Sequence, residues 1–336
     1  MTGAPMGLGG TKLIGTGSAT PDGILTNADL EKILDTSDEW IQQRTGIKQR
    51  RVVDQTKGES TVSICCDALE DAVKNTGVDP NEIDLIICAT CTQQMSCPSV
   101  ACRAAERIGA TKAAAFDLAA ACSGFVYALN TADSLIRLGR YKTIAIIGGD
   151  AMSTVMDYND RSVSILFGDA AGAAILTRDE NPERGSIKQI MGADGRGWEC
   201  LYLPRKAIDV PESDRDNPIE LGMLRMNGRE VFKFAVKKFQ QVIEQTLSEA
   251  GIGIEDVSQL ICHQSNLRII ESAREKLGID KDRVYVNIDR IGNSSAGSIG
   301  LCLDELNQAG RIKEGDLILL AAFGGGMTWA SSLWRV

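Results

Sequence analysis

Glu82-Ile-Asp-Leu-Ile-Ile-Cys-Ala-Thr90 returns later in the chain, altered but in the same acidic-then-apolar order, as Glu255-Asp-Val-Ser-Gln-Leu-Ile-Cys-His263. Each copy follows a stretch of helical period that stops at a glycine: residues 61–75 before Gly77, and residues 231–250 before Gly251. In the first stretch Val62, Cys65, Cys66, Leu69, Ala72 and Val73 recur every three or four positions, which lines one face of a helix. Further out, Tyr141-Lys-Thr-Ile-Ala-Ile-Ile-Gly-Gly149 pairs with Gly315-Asp-Leu-Ile-Leu-Leu-Ala-Ala-Phe-Gly-Gly325. Gly168-Asp-Ala-Ala-Gly-Ala-Ala-Ile-Leu176 pairs with Gly324-Gly-Gly-Met-Thr-Trp-Ala-Ser-Ser-Leu333, a glycine turn entering an apolar strand. Repetition of this kind predicts two copies of one α/β unit, residues 1–183 and 184–336, with the seam near Asn181-Pro-Glu-Arg-Gly-Ser186. Short β-rich runs alternating with helical ones predict layered α/β architecture with mostly parallel strands. The polar insertion at 209–217 reads as a surface loop.

Composition narrows the function classes. Of 336 residues 43% are hydrophobic and 24% charged, with 34 Gly and 8 Pro, which excludes disordered and collagen-like chains. Thirty-six basic against 45 acidic residues leave a net charge of −9, which argues against a nucleic-acid partner. Ten cysteines without the dense, even spacing of a small secreted scaffold read as reduced thiols of a cytoplasmic protein. Residues 1–10 hold neither a basic n-region nor an apolar run, so no export signal is expected. Residues 317–334 are uncharged, yet Gly324, Gly325 and Gly326 interrupt them, which predicts strand, turn and strand rather than a membrane span.

Four places combine chemistry with position. Cys122 lies between the strand ending at Leu118 and a helical stretch that begins near Phe125. Unpaired N–H groups and the dipole at a helix start favour a thiolate and lower its pKa; a buried core thiol is the plainer alternative. His263, the only histidine, follows the apolar run Leu260-Ile-Cys262, where open α/β sheets collect their catalytic groups; a core histidine is the alternative. Asn293 stands in a polar turn before the helix carrying Ile299, Cys302 and Leu306, as a site residue or a simple turn residue. Under the duplication this turn is the counterpart of the Cys122 turn. Phe323-Gly-Gly-Gly-Met-Thr-Trp329 permits close backbone approach that can aim an N–H at an oxyanion, or merely a tight strand connection. Neither this run nor Gly15-Thr-Gly17 has the spacing of a nucleotide-binding loop.

Together Ala119-Ala-Ala-Cys122-Ser-Gly-Phe125, His263-Gln-Ser-Asn-Leu-Arg-Ile-Ile270, Gly292-Asn293-Ser-Ser-Ala-Gly-Ser298 and Phe323-Gly-Gly-Gly-Met-Thr-Trp329 resemble the β-ketoacyl-acyl carrier protein synthase III family. Ser37-Asp-Glu-Trp40-Ile-Gln-Gln-Arg44-Thr-Gly-Ile47 and Arg161 with Phe167-Gly-Asp-Ala-Ala-Gly172 add to the likeness, which spans the chain. The resemblance implies a thiolase fold, two similar halves in five αβαβα layers, a homodimer, and decarboxylative condensation of an acyl-CoA with malonyl-acyl carrier protein to begin fatty acid synthesis. It makes Cys122 the acyl-accepting nucleophile, His263 and Asn293 donors to the malonyl thioester, and the N–H groups of Cys122 and Gly325 the oxyanion hole. Trp40, Arg44, Arg161, Arg268 and Phe323 become coenzyme A and substrate contacts; Lys233, Arg268 and Lys276 a carrier-protein docking face. No metal or cofactor is implied, CoA thioester being a substrate. Cys97 stands where the family often has a Phe that closes the acyl pocket across the dimer, so longer or branched acyl groups become admissible. Related enzymes making longer-chain, polyketide or quinolone products share the Cys, His and Asn set.

The order Cys122, His263, Asn293 also suits a papain-like hydrolase, but the Cys-Gly-Ser-Cys-Trp signature is missing and the duplication does not fit. Cys88, Cys91, Cys97 and Cys102 superficially suggest a metal or iron-sulfur site, yet Cys88 ends an apolar strand, Cys102 begins a helical stretch and no histidine accompanies them.

Overall fold

The computed structural model describes residues 9–216 and 219–336. Most of the segment read as lacking an export signal, residues 1–8, and Asn217 of the polar insertion lie outside the described residues.

Nine strands form the two main sheets: β1 (Gly10–Ala19), β2 (Leu85–Ala89), β3 (Ala114–Leu118), β4 (Thr143–Ala151), β5 (Asp169–Asp179), β6 (Gly185–Ala193), β7 (Gln259–Cys262), β8 (Leu317–Gly324) and β9 (Thr328–Arg335). Six helices cover them: α1 (Thr61–Thr76), α2 (Val100–Ile108), α3 (Gly124–Arg137), α4 (Gly228–Ala250), α5 (Leu267–Leu277) and α6 (Gly297–Gln308). The predicted stops hold, because Gly77 and Gly251 take the left-handed conformation that caps α1 and α4. Ser60 opens α1 with a capping box to Ser63.

The first sheet runs β1-β5-β4-β2-β3 and the second β6-β9-β8-β7. Strand for strand, β6 repeats β1, β9 repeats β5, β8 repeats β4 and β7 repeats β2; the place of β3 is taken by a single parallel bridge from Leu260 to Val284. The expectation of mostly parallel strands is corrected. Pairs β2·β3, β2·β4 and β7·β8 are parallel, whereas β1·β5, β4·β5, β8·β9 and β6·β9 are antiparallel. The glycine turn Gly325–Met327 joins β8 to β9 in three residues, far too few for the crossover that parallel strands need.

Five layers follow from where the apolar faces point. Leu69 of α1 and Ala101 of α2 pack on Ile86, Ile147 and Ile175 of the first sheet. Phe125 and Leu129 of α3 interleave with Ile299 and Leu303 of α6 between the sheets, against Ile146 and Leu320. Phe239 and Ile243 of α4 and Ile270 of α5 close the outer face of the second sheet over Leu319 and Leu333. Covered on both sides, β2 and β4 are buried along their whole length, which is why they read as unbroken apolar runs. Central helix and sheet touch backbone to backbone: a Cβ on Gly172 would stand 2.1 Å from the Gly300 carbonyl carbon. Strand β3 is an edge of the first sheet, with Phe116 41% exposed.

Candidate active site

Cys122, His263 and the glycine run sit in turns that leave the carboxyl ends of β3, β7 and β8, and Asn293 sits in the turn before α6. Between β3 and α3, Ala121–Ser123 forms one tight turn holding Cys122. No side chain caps α3, so its first N–H groups remain available beside that turn. His263 follows β7, its N–H bonded to the Ala321 carbonyl at 2.9 Å. Asn293 precedes α6 and is pinned to the first half: its N–H donates to Leu166 O at 2.9 Å and its carbonyl accepts from Gly168 N–H at 3.0 Å.

These turns open on one cavity of about 320 Å³, lined by Cys122, His263, Asn293, Phe323, Gly324 and Met327 and reaching to Trp40 and Arg44. Among the described residues, the non-glycine positions with positive φ are Ala121 (47°), Ser295 (50°) and Met327 (49°). One precedes Cys122, one follows Asn293 by two, and one lines the cavity. Such conformations cost about 1–3 kcal/mol each and persist where the surroundings over-determine them.

Phe323 packs edge-on against the His263 ring, centroids 5.5 Å apart at 72°. His263 is 1% exposed, and burial holds its pKa down to about 3, so the imidazole is neutral at physiological pH. Its Nδ1 lies 2.8 Å from Ser298 Oγ. Asn293 Oδ1 accepts the Ser295 N–H at 3.0 Å, which turns the amide Nδ2 outward as a donor.

Cys122 departs from expectation. Burial pushes its thiol up to about 12; a hydrogen bond with Ser295 works against this and the Asp150 carboxylate adds to it. In this desolvated turn the cost of a buried thiolate outweighs the pull of the helix start, so Cys122 rests as the thiol.

The glycine run lies close against the Cys122 turn. A Cβ on Gly324 would stand 2.7 Å from Cys122 N and 3.1 Å from Ser123 N. Thr328 latches the contact, its Oγ1 lying 3.1 Å from the Ala120 carbonyl and 3.0 Å from Ser123 Oγ. Behind Cys122, buried Asp150 accepts from Thr90 Oγ1 at 2.9 Å, Thr92 Oγ1 at 2.8 Å, Cys91 N at 2.8 Å and Ala296 N at 3.3 Å, tying the β2 turn to the Asn293 turn. Sequence reasoning misses the roles of Thr328, Ser298 and Asp150, because each acts through partners far along the chain.

The other candidates fall around the mouth or outside it. Arg161 and Arg44 lie 4.8 and 5.8 Å from the Trp40 ring centroid. Arg268 covers Phe232, a cavity-lining ring, at 5.3 Å. Lys233 is exposed and donates to Glu230 at 2.8 Å, and Lys276 is exposed near the end of α5. Gly325 adjoins Gly324 in the turn, while Cys97 is exposed in the loop after β2, outside the cavity of its own chain. Among the described residues no group of three or more His, Cys, Asp or Glu is placed to share a metal ion, and no helix is long and apolar enough to cross a membrane.

Duplicated halves in five layers make this a thiolase-fold protein, and kinship by sequence narrows the class. Residues 116–195 match the family description 3-oxoacyl-[acyl-carrier-protein] synthase III, and residues 247–336 its C-terminal counterpart. The β-ketoacyl-[acyl-carrier-protein] synthase III of Clostridium acetobutylicum is 44% identical over 320 residues, 95% of this chain and 97% of that protein. The crystal structure of the Aquifex aeolicus 3-oxoacyl-[acyl-carrier-protein] synthase III superposes with a TM-score of 0.89 at 45% identity, covering 97% of this chain and 100% of that one. For the Thermus thermophilus β-ketoacyl-[acyl carrier protein] synthase III the values are 0.90 and 41%, with 96% and 98% covered. The chain belongs to the β-ketoacyl-[acyl-carrier-protein] synthase III family. It is a condensing acyltransferase of the kind that initiates fatty acid synthesis.

Proposed function

We propose that the enzyme condenses an acyl-CoA, acetyl-CoA first among them, with malonyl-acyl carrier protein to give a 3-oxoacyl-acyl carrier protein. Residues 1–183 supply the nucleophile and residues 184–336 the His and Asn. In the first half-reaction the Cys122 sulfur attacks the thioester carbonyl, the carbon–sulfur bond to CoA breaks, and the thiol proton ends on the CoA sulfur. In the second, the malonyl carboxylate leaves as CO2 and its bonding pair becomes an enolate. Neutral N–H donors on His263 and Asn293 hold the enolate oxygen. The enolate carbon attacks the acyl carbonyl, whose oxyanion rests on the N–H groups of Cys122 and Gly325. Cys122 departs as thiolate and takes one proton from solvent.

What supports this is one cavity lined by Cys122, His263 and Asn293 together, with an imidazole kept neutral by burial. Two preorganised neutral donors in a dry site match a charge that develops only in the transition state. A coenzyme A adenine inserted between Trp40 and Arg161 has to displace the guanidinium, which also donates to the Asp35 carbonyl. Arg268, Lys233 and Lys276 offer the acidic carrier protein a docking face near the cavity mouth, a steering effect that weakens with salt. The unpaired edge β3, with Phe116 exposed, suits pairing with a second copy in a cytoplasmic homodimer.

Incubating the protein with labelled acetyl-CoA and malonyl-acyl carrier protein tests the assignment: a 3-oxobutanoyl carrier protein must appear with ping-pong kinetics, and its absence overturns the reading. With Cys97 in place of a bulky ring, turnover is expected to extend to butyryl-CoA and octanoyl-CoA; strict acetyl selectivity contradicts a widened pocket.

A further inference from the structure

The turn that carries Asn293 also governs where the hydrogens of the neighbouring imidazole sit. We infer that Ser298 is a positioning residue whose hydroxyl donates to Nδ1 of His263 and so holds the ring as the tautomer protonated on Nε2. This deepens the function proposed above and rests on it.

Donors and acceptors can be counted. A neutral imidazole carries one N–H, and a serine hydroxyl has one hydrogen to give. Ser298 Oγ has two acceptors in reach: His263 Nδ1 at 2.8 Å and the Ser295 carbonyl at 3.0 Å. If the hydroxyl turns to Ser295, Nδ1 must bear the ring hydrogen and Nε2 is left bare. If it turns to Nδ1, Nε2 bears the hydrogen.

Two observations favour the second arrangement. The Ser295 carbonyl does not need the hydroxyl, since it also accepts the backbone N–H of Ser298 at 3.3 Å. The Gln264 N–H points at Ser298 Oγ from 3.4 Å, so that oxygen already has a donor and is free to give its hydrogen to the ring. The same turn fixes the second donor by a parallel device, because the Ser295 N–H occupies Asn293 Oδ1 and leaves Nδ2 for the cavity. One six-residue stretch, Asn293–Ser298, thereby fixes two N–H groups of definite identity toward one oxygen. Burial, which keeps the ring neutral, makes the choice of tautomer decisive: a bare Nε2 would repel an enolate oxygen instead of holding it.

The chain's single histidine makes a direct test available. Protein labelled with 15N-histidine gives one pair of ring nitrogen signals, and protonated and bare nitrogens are far apart in shift. The expected spectrum of the wild type has Nε2 protonated and Nδ1 bare; Nδ1 protonated overturns the inference and with it the donor role given to His263, while the overall condensation is judged separately by whether product forms. In Ser298→Ala the signals should shift toward the Nδ1–H form. Decarboxylation of a malonyl thioester should fall at least about tenfold in kcat, while acylation of Cys122 by acetyl-CoA changes little. Ser298→Thr, which keeps the hydroxyl, should restore both. An unchanged tautomer in Ser298→Ala, or equal losses in the two half-reactions, contradicts the positioning role. If Ser298→Ala does not fold, the wild-type spectrum alone decides. A wild type with the expected tautomer but no condensation would overturn the proposed reaction instead.

Discussion

Replacing Gly324 by alanine should disable the enzyme, although Gly324 lies in extended backbone that any residue can adopt (φ −164°). The obstacle is space. The added Cβ would sit 2.7 Å from the Cys122 nitrogen, about 0.7 Å inside the 3.4 Å where ordinary contact begins, and the atom it meets is backbone. The glycine turn must therefore retreat from the nucleophile turn by roughly that distance. Oxyanion donors work at about 2.7–3.1 Å, so a retreat of this size takes an N–H out of range, and losing one such donor costs about 10²–10³ in kcat. Crowding should also lower stability by about 1–3 kcal/mol. Gly325→Ala is the matched control: its Cβ would find its nearest neighbour, Ala121 Cβ, at 3.4 Å, and its N–H is retained. Stopped-flow acylation with acetyl-CoA and urea denaturation of both variants measure the two effects. Equal activities for Gly324→Ala and Gly325→Ala would refute the view that backbone proximity builds the site.

Three further outcomes follow from charge, burial and the sheet edge. With its thiol pushed up to about 12, Cys122 in the free enzyme should be alkylated by iodoacetamide at a rate that climbs about tenfold per pH unit from pH 7 to 10, whereas a plateau by pH 8 would point to a preformed thiolate. His263 has its folded pKa lowered to about 3 from the usual 6.5, so between those values the unfolded chain binds more protons and stability rises with pH. Relative to His263→Asn, the wild type should lose up to about 1.4 kcal/mol per pH unit on acidification from 6 toward 4, seen in urea midpoints, and parallel curves would contradict a buried neutral ring. Phe116→Asp places a charge on the exposed edge β3 and should shift sedimentation from dimer to monomer; an unchanged dimer means that the two copies meet elsewhere.

What the sequence discloses and what it withholds divide along physical lines. Leu85–Ala89 and Gln259–Cys262 were legible because strands buried on both faces are short unbroken apolar runs, and Gly77 and Gly251 mark helix ends by their own conformational freedom. His263 stands out as a reactive side chain at the end of such a run, and Cys122 and Asn293 as reactive or polar side chains in the turns that open α3 and α6. Strand β1 is missing from the sequence reading, which weighs Gly15 and Gly17 only against a nucleotide-binding loop; the structure uses Gly17 to let α1 lie on the strand, a Cβ there meeting Ala72 N at 2.2 Å. The strand, turn and strand read at 317–334 are present, but the general expectation of mostly parallel strands failed because direction depends on which strands become neighbours, as where β1 and β6 pair antiparallel with β5 and β9. The thiol's pKa was misjudged for a different reason. Helix starts are local features, but the burial that raises the Cys122 thiol, the Ser295 hydrogen bond that opposes it and the Asp150 charge that adds to it all depend on how distant segments pack. Ser298 stood inside a quoted motif with no role, since its partner His263 lies 35 residues away.

Mass spectrometry of the protein after brief exposure to acetyl-CoA, followed by a chase with malonyl-acyl carrier protein, examines the core assignment most directly. One acetyl group should appear on the peptide containing Cys122 and on no other, be absent from Cys122→Ser, and leave on the chase as 3-oxobutanoyl carrier protein. An acetyl group on any of the other nine cysteines, or one on Cys122 that malonyl-acyl carrier protein does not remove, would contradict the assignment.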